Sequence, residues 1–144
     1  MFEFHGWAVL HYHTYDNAET LEEAALQKLL QWISNLRCIP DRKALDFINI
    51  QRQNGQICLT MSGLFNHRSV FVIDIFKGIA VIMPGSYGLL YIHDEEDDKG
   101  EIDYSNEFVV WKLARGNLTL EKDPFLSPCI PLIEDPFNPS RVDI

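Results

Sequence analysis

A run of acidic side chains is the densest chemistry-bearing segment of this sequence. The stretch IHDEEDDKGEID, residues 92–103, holds seven carboxylates and one lysine. A calcium loop of the EF-hand type needs oxygen ligands at positions 1, 3 and 5, a glycine at 6 and a glutamate at 12. Counted from Asp94, positions 6 and 12 hold Lys99 and Ser105, and counted from Glu95, position 5 is again Lys99. Neither register fits, so the spacing argues against a calcium site of this kind.

Two other interpretations of the acidic run stay open. It is either a solvated hairpin tip, charged to keep the end of a sheet soluble, or a docking surface for a basic protein. The whole chain carries a net charge of −9, and residues 94–103 account for most of it. The candidate partner-binding residues are Asp94, Glu95, Glu96, Asp97, Asp98 and Glu101.

Histidines near the N-terminus form a second candidate site. The first twelve residues or so alternate like a strand, which places His11 and His13 on the same side, where they could share a metal ion. The sequence supplies no clear third and fourth ligand, so we predict no metal and no cofactor. His5 and Trp7 fall on that same side. The alternation therefore also predicts an exposed patch of aromatic and histidine side chains, which is typical of a protein-binding surface.

Composition excludes several classes of function. With 144 residues, 47% apolar and 23% charged, the chain suits one globular domain. Its net negative charge argues against binding to nucleic acid phosphates, which requires clustered lysine and arginine. The N-terminus lacks the pattern of a secretory signal, and no apolar run is long enough to span a membrane. Three widely spaced cysteines favour a reducing compartment, so we expect a cytoplasmic protein.

Nothing in the sequence argues for an enzyme. Cys38, Cys58 and Cys129 have no catalytic signature around them, and the glycine-rich nucleotide and nucleophile motifs are missing. The carboxylates are clustered in one loop, which does not divide them into acid and base roles. An enzyme or a small metal- or ligand-binding domain using the His11/His13 face is kept as the alternative.

The elements that must position these residues follow from periodicity and turn chemistry. The strands and helices that we predict, in order, are a strand at 2–13, a helix around Leu21–Leu36, a hairpin of 45–53 and 56–62 about Asn54-Gly55, a segment at 69–83, strands at 87–93 and 107–114, and a last strand at 118–121 after a Gly116-Asn117 turn. For the helix, Thr20–Glu23 fits a capping box, with Asp16 and Glu19 as an earlier start, and Pro40 ends the helical region. The acidic run then joins two strands as a hairpin loop.

Segment 69–83 is ambiguous between a helix and a hairpin. Its β-branched residues suit strands, but Asp74, Lys77 and Gly78 lie on one helical stripe, and Ser69 and Pro84 suit its two ends. We favour the helix. The fold class is then α+β, a two-layer sandwich with two helices on one face of a mainly antiparallel sheet.

The last part of the chain, about residues 122–144, is rich in proline. It predicts an extended segment on the surface of the single domain 1–144, held by its apolar side chains. These are Phe125, Leu126, Ile130, Leu132 and Ile133. The sequence leaves open whether they cover this domain or a neighbouring molecule, so the oligomeric state is not predicted.

Four blocks in order carry a resemblance to a known family. They are FEFHGWAVL at 2–10, PGSYGLLYIHDEED at 84–97, FVVWKLARGNLT at 108–119 and KDPFLSPCIPLIED at 122–135. Together they resemble the immunity protein 7 family, small bacterial proteins encoded beside polymorphic or contact-dependent toxins. The resemblance spans nearly the whole chain.

The resemblance implies an antitoxin that binds a cognate bacterial toxin domain in the cytoplasm and blocks it. Toxins of this kind are often nucleases or other enzymes with basic clefts. The family brings no catalytic residues and no established toxin-contacting positions to this chain. His5, Gly6 and Trp7, with Tyr87, Gly88 and Pro128, match its blocks and suit structural roles. The acidic loop is the natural element to steer such a partner.

Overall fold

The computed structural model describes residues 1–15, 19–37 and 43–142 of the chain. Within them lie six strands, two long helices and two short helical turns. The strands are β1 Phe2–Leu10, β2 Ile48–Gln53, β3 Gln56–Phe65, β4 Tyr87–Asp94, β5 Phe108–Ala114 and β6 Asn117–Lys122. The helices are α1 Glu19–Leu36, α2 Phe71–Ile82 and the four-residue α3 Cys129–Leu132, with a short 3-10 helix at Lys43–Phe47 before β2.

The strands form one antiparallel sheet in the order β2-β3-β1-β4-β5-β6. β1 lies in the middle, where its alternation buries Phe2, Phe4, Ala8 and Leu10 on one side. The predicted register of the first hairpin is confirmed, since Ile48 pairs with Met61 and Ile50 with Leu59. Asn54 and Gly55 both have positive φ, as a type I′ turn requires.

Both long helices cover the same face of the sheet, which confirms the α+β sandwich. The buried residues of α1 and α2 join one core with the buried side of β1. Phe76 of α2 and Leu90 of β4 close over Gly6, where a Cβ atom would come within 2.9 Å of the Leu90 side chain. Gly78 of α2 lies against the indole of Trp32 of α1, so a missing side chain lets the two helices meet.

Segment 69–83 forms the helix that its polar stripe predicts. The helix starts at Phe71 after Val70, and no described side chain caps that end, so Ser69 is not the cap. At the other end the amide of Met83 donates to the carbonyl of Ile79. The strongly apolar face of α2, with Val72, Ile75, Phe76 and Ile79 buried, explains why burial decides its structure over β propensity.

Several predicted boundaries are wrong. β1 ends at Leu10 because the Ser86 hydroxyl bonds both the amide and the carbonyl of His11, 3.0 and 3.3 Å, in place of a continued ladder. Thr20 lies inside α1, which already begins at Glu19; the alternative residue Asp16, and Pro40, lie outside the described residues. The last turn comes one residue earlier than predicted, at Arg115-Gly116, both with positive φ.

The segment after β6 is held by polar groups, and the predicted apolar anchors are exposed. Phe125, Leu126, Ile130, Leu132 and Ile133 are between 39% and 73% exposed. Instead, the buried carboxylate of Asp123 accepts hydrogen bonds from the amides of Phe125 and Leu126 and from the Ser127 hydroxyl. The side-chain amide of Asn106 bonds both backbone groups of Ile130.

The structure describes two of the three cysteines. Cys58 and Cys129 are free thiols, and Cys38 lies outside the described residues. Burial raises the pKa of the Cys129 thiol, with the nearby carboxylates of Asp123 and Glu3 adding to the shift.

None of the helices in the described ranges combines the length and the apolar character needed to cross a bilayer.

Candidate functional site: the acidic loop and the surfaces beside it

The acidic loop joins β4 to β5, as predicted, and at its base a buried carboxylate pairs with a partly exposed arginine. Asp94 ends β4 and is only 6% exposed. Its carboxylate accepts a hydrogen bond from Nε of Arg68 at 2.8 Å and another from the amide of Glu96 at 3.0 Å. The Arg68 guanidinium also lies over the ring of Phe2. Asp94 therefore shapes the loop and is not offered to a partner.

Four more loop carboxylates already have partners within the domain. Glu95 pairs with the amino group of Met1, Glu96 with His67 and Asp97 with Arg68, at 3.1, 2.8 and 3.4 Å. Asp103 accepts hydrogen bonds from the amide and hydroxyl of Ser105, which lower the pKa of its carboxyl. Apart from Asp97, these groups are exposed. Cations therefore partly offset the charges of Glu95 and Asp97 before any partner arrives, whereas Glu96 and Asp103 are held by hydrogen bonds.

Asp98 and Glu101 are different. Both are exposed, and neither forms an ion pair or side-chain hydrogen bond with another residue in the part of the chain that the structure describes. They sit at the tip of the loop beside Lys99. These two are consequently the predicted partner-binding carboxylates that no ion pair or side-chain hydrogen bond engages among the described residues.

The predicted aromatic patch lies on the face of the sheet that carries no long helix. Trp7 is 43% exposed, and its indole meets the ring of Tyr87 edge-on, with 6.1 Å between centroids. His5, also exposed, bonds Glu3 at 2.6 Å. A hollow of about 300 Å³ lies next to Trp7 and is lined by His5, Phe47 and Tyr91 among others. Alternation along β1 predicts His5 and Trp7 in this patch, whereas Tyr87 is predicted only to pack.

His11 and His13 lie beyond the end of β1, so they do not share one side of a strand as predicted. Nδ1 of His11 is 2.9 Å from a Glu22 carboxylate oxygen, and the ring of His13 stacks on Tyr15. Both histidines line a cleft of about 500 Å³. Among the described residues, no group of three or more histidine, cysteine or acidic side chains is placed to hold a metal ion.

The ten predicted residues do not form one site. The β1–β4 register pairs Phe2 with Asp94 and Val9 with Tyr87, so the acidic loop and the His11/His13 cleft lie at opposite ends of the sheet. Since a strand rises about 3.3 Å per residue, Trp7 is roughly 17 Å from the base of the loop. The loop and the patch are therefore close enough to belong to one interface of ordinary size, about 800 Å² per partner.

A groove that sequence analysis missed adjoins the acidic loop on the helix side of the sheet. It has a volume of about 470 Å³. Its apolar lining comes from Ile92, Val109, Trp111 and Leu120 of β4, β5 and β6 and from Ile102 and Tyr104 of the loop. The predicted strands at 107–114 and 118–121 contain Val109, Trp111 and Leu120, but a strand prediction does not say whether a helix covers them. Only the placement of α2 over the other end of the hairpin leaves them uncovered, and no local sequence signal contains that information.

Comparisons with known proteins identify the family. No curated protein and no solved structure matches the chain. The family model described as immunity protein 7, by contrast, matches residues 1–135. The match includes all six strands, both long helices, the acidic loop and the Asp123 turn, and the chain therefore belongs to the immunity protein 7 family.

Proposed function

We propose that this protein neutralises a cognate bacterial toxin domain by binding to it in the cytoplasm. Family membership is the observation that carries the proposal, because an immunity protein acts on a toxin. The protein itself needs no cofactor in this role, since occupying or blocking a partner requires only a complementary surface.

The chemistry of the surface favours a basic partner. The net charge is −9, and the acidic loop concentrates that charge at one end of the domain. An enzyme that acts on a polyanion, such as a nuclease, has a basic cleft. Complementary charge accelerates association and orients the encounter, which suits an antitoxin that must act soon after its toxin appears.

Different residues have different parts in this proposal. Asp98 and Glu101 steer the toxin, because their charge faces solvent. Glu95 and Asp97 add a negative field that their ion pairs partly offset, Glu96 adds its charge while bonded to His67, and Asp94 holds the loop in shape. The patch around His5 and Trp7 is the second contact surface. Exposed aromatic side chains of this kind contribute large contact area at low entropic cost.

The His11/His13 cleft has the smallest role in the proposed toxin contact. It lies at the opposite end of the sheet from the acidic loop, and His11 is engaged by Glu22. The ring of Tyr87 nevertheless contacts both Trp7 and His11, with centroids 6.1 and 6.3 Å apart, so a toxin that covers the Trp7 patch would also reach the near wall of this cleft.

The test of this function uses the toxin domain encoded by the reading frame next to the gene. We expect cells that express this domain to survive only when the immunity protein is co-expressed. The purified proteins, with the toxin inactivated by replacement of a catalytic residue, should form a stable complex. Cells that die despite normal immunity-protein levels, or two proteins that elute separately at micromolar concentration, would rule the function out for that toxin.

A further inference from the structure

The groove beside the acidic loop is an apolar surface with an acidic wall on its loop side. Ile102 is 57% exposed and Leu120 is 43% exposed, whereas the floor residues Ile92 and Val109 are almost fully buried. Trp111 and Tyr104 are half-buried and pack against the core. The groove thus has a rigid floor and an accessible rim. Its volume of about 470 Å³ falls in the range of roughly 300–1,000 Å³ that is usual for binding pockets.

Backbone bonds fix the loop wall of this groove. The amide of Tyr104 donates to the carbonyl of Asp97 at 2.9 Å, and the amide of Glu107 donates to the carbonyl of Tyr104 at 3.0 Å. At its base, Asp94 is held by Arg68. A wall that is already ordered loses little entropy when a partner binds, which favours affinity.

The charges around the groove select the occupant. Asp97 and Glu101 line it directly, and Asp98 stands beside them. Three cations are near. The guanidinium of Arg68 lines the groove but is engaged by Asp94 and Asp97, whereas Lys99 in the loop and Lys122, opposite Val109, are single exposed charges. An apolar floor with an acidic rim is complementary to an apolar side chain flanked by lysine or arginine.

We propose that this groove is a docking site for a basic segment of the cognate toxin, one that inserts an aromatic or branched apolar side chain between Ile102 and Leu120. This inference rests on the proposed function and specifies which part of the surface retains the partner. The loop carboxylates act mainly on the association rate, whereas the buried apolar contact acts mainly on the dissociation rate.

The experiment compares Ile102→Ser and Leu120→Ser with two matched controls, Val81→Ser and Val142→Ser. The controls also replace an exposed apolar side chain, 80% and 82% exposed, in α2 and in the C-terminal segment, outside the groove. Binding to the inactivated toxin domain is measured by surface plasmon resonance. We expect each groove variant to raise the dissociation rate constant about tenfold with little change in the association rate constant, as truncation of a central contact does. The controls should stay within about twofold.

The possible outcomes test the docking proposal and the proposed function separately. If the wild-type protein binds the toxin and both groove variants bind it within twofold of wild type, the groove is not the docking site and the proposed function stands. If the wild-type protein neither binds nor protects, both proposals fail. If the protein alone dimerises and Leu120→Ser makes it monomeric, the occupant is a second copy and the docking proposal is overturned. Circular dichroism verifies that each variant is folded.

Discussion

At the scale of single residues, Trp7 tests whether the face without long helices contacts the toxin. Trp7→Ala removes the exposed indole and its edge-on contact with Tyr87. Because an aromatic pair of this kind contributes about 0.5–1.5 kcal/mol, we expect only a small loss of unfolding free energy. Toxin affinity should fall at least about fivefold, as for an aromatic residue within an interface.

The matched control for Trp7 is Phe137→Ala. Phe137 is an aromatic residue that is 91% exposed and lies in the C-terminal segment. Isothermal titration calorimetry with the inactivated toxin domain measures both affinities. Equal affinities for the two variants and the wild type would remove the Trp7 patch from the interface, while the acidic loop and the groove would remain.

Gly78 is a residue whose role in packing gives a prediction about stability. A Cβ atom there would overlap the Trp32 ring, because the two helices meet at this point. Glycine to alanine in a helix interior is ordinarily favourable by about 1 kcal/mol, but overpacking costs about 1–3 kcal/mol. We therefore expect Gly78→Ala to lower the free energy of unfolding in urea by about 1 kcal/mol.

A double variant separates this overlap from other effects of the Gly78 substitution. In a Trp32→Leu background the ring is gone, so Gly78→Ala should become neutral or stabilising. The coupling between the two sites in this mutant cycle then measures the overlap. Purely additive effects would show that the indole moves aside at no cost.

At the scale of elements, the C-terminal segment is held by one polar turn. The Asp123 carboxylate bonds the amides of Phe125 and Leu126 and the hydroxyl of Ser127, and that hydroxyl accepts a bond from the amide of Phe108 in β5. Asp123→Ala leaves these donors without their acceptor. A buried group without a partner costs about 1–3 kcal/mol, so the free energy of unfolding should fall by about that amount.

Hydrogen exchange locates the effect of Asp123→Ala. The amides of Phe125, Leu126 and Phe108 should exchange faster, while those of α2 keep their protection. Asp135→Ala is the control, since its carboxylate pairs only at the surface with Arg141 and such pairs are worth little. Unchanged exchange at Phe125 and Leu126 in Asp123→Ala would mean that the segment is held by other contacts.

The elements that sequence predicted well are those whose signals are local. Alternation in β1, the Asn54-Gly55 turn and the apolar stripe of α1 each depend on residues close together in the chain. The end of β1 was missed because Ser86, distant in sequence, takes the hydrogen bonds of His11. The anchoring of the last segment was missed for a similar reason: apolar content suggested burial of Phe125, but Asp123 and Asn106 supply the bonds.

The candidate site residues show the same division between local signals, which the sequence reveals, and distant contacts, which it does not. The position of the acidic run at a hairpin tip could be predicted, because two apolar strands flank it. Its internal pairing could not, because Arg68 and His67 reach it from the segment before α2. As a result, the sequence predicts six equivalent carboxylates. Among the described residues, only Asp98 and Glu101 of these six have no ion pair or side-chain hydrogen bond. Prediction of the groove at Leu120 likewise requires knowledge of where α2 packs on the sheet.

At the scale of the whole molecule, the position of the charge matters more than its total. Asp98→Asn with Glu101→Gln reduces the net charge from −9 to −7 at the loop, and Glu19→Gln with Glu134→Gln makes the same reduction at exposed sites elsewhere. If the loop steers the toxin, the loop variant should associate about two- to tenfold more slowly at low salt, and the control variant should associate nearly as fast as wild type. At 1 M salt, where the Debye length is about 3 Å, all three association rates should converge. Stopped-flow mixing over a salt series measures these rates. Equal slowing by both variants would show that only net charge matters, and no slowing by either would leave the acidic loop as a solvated hairpin tip.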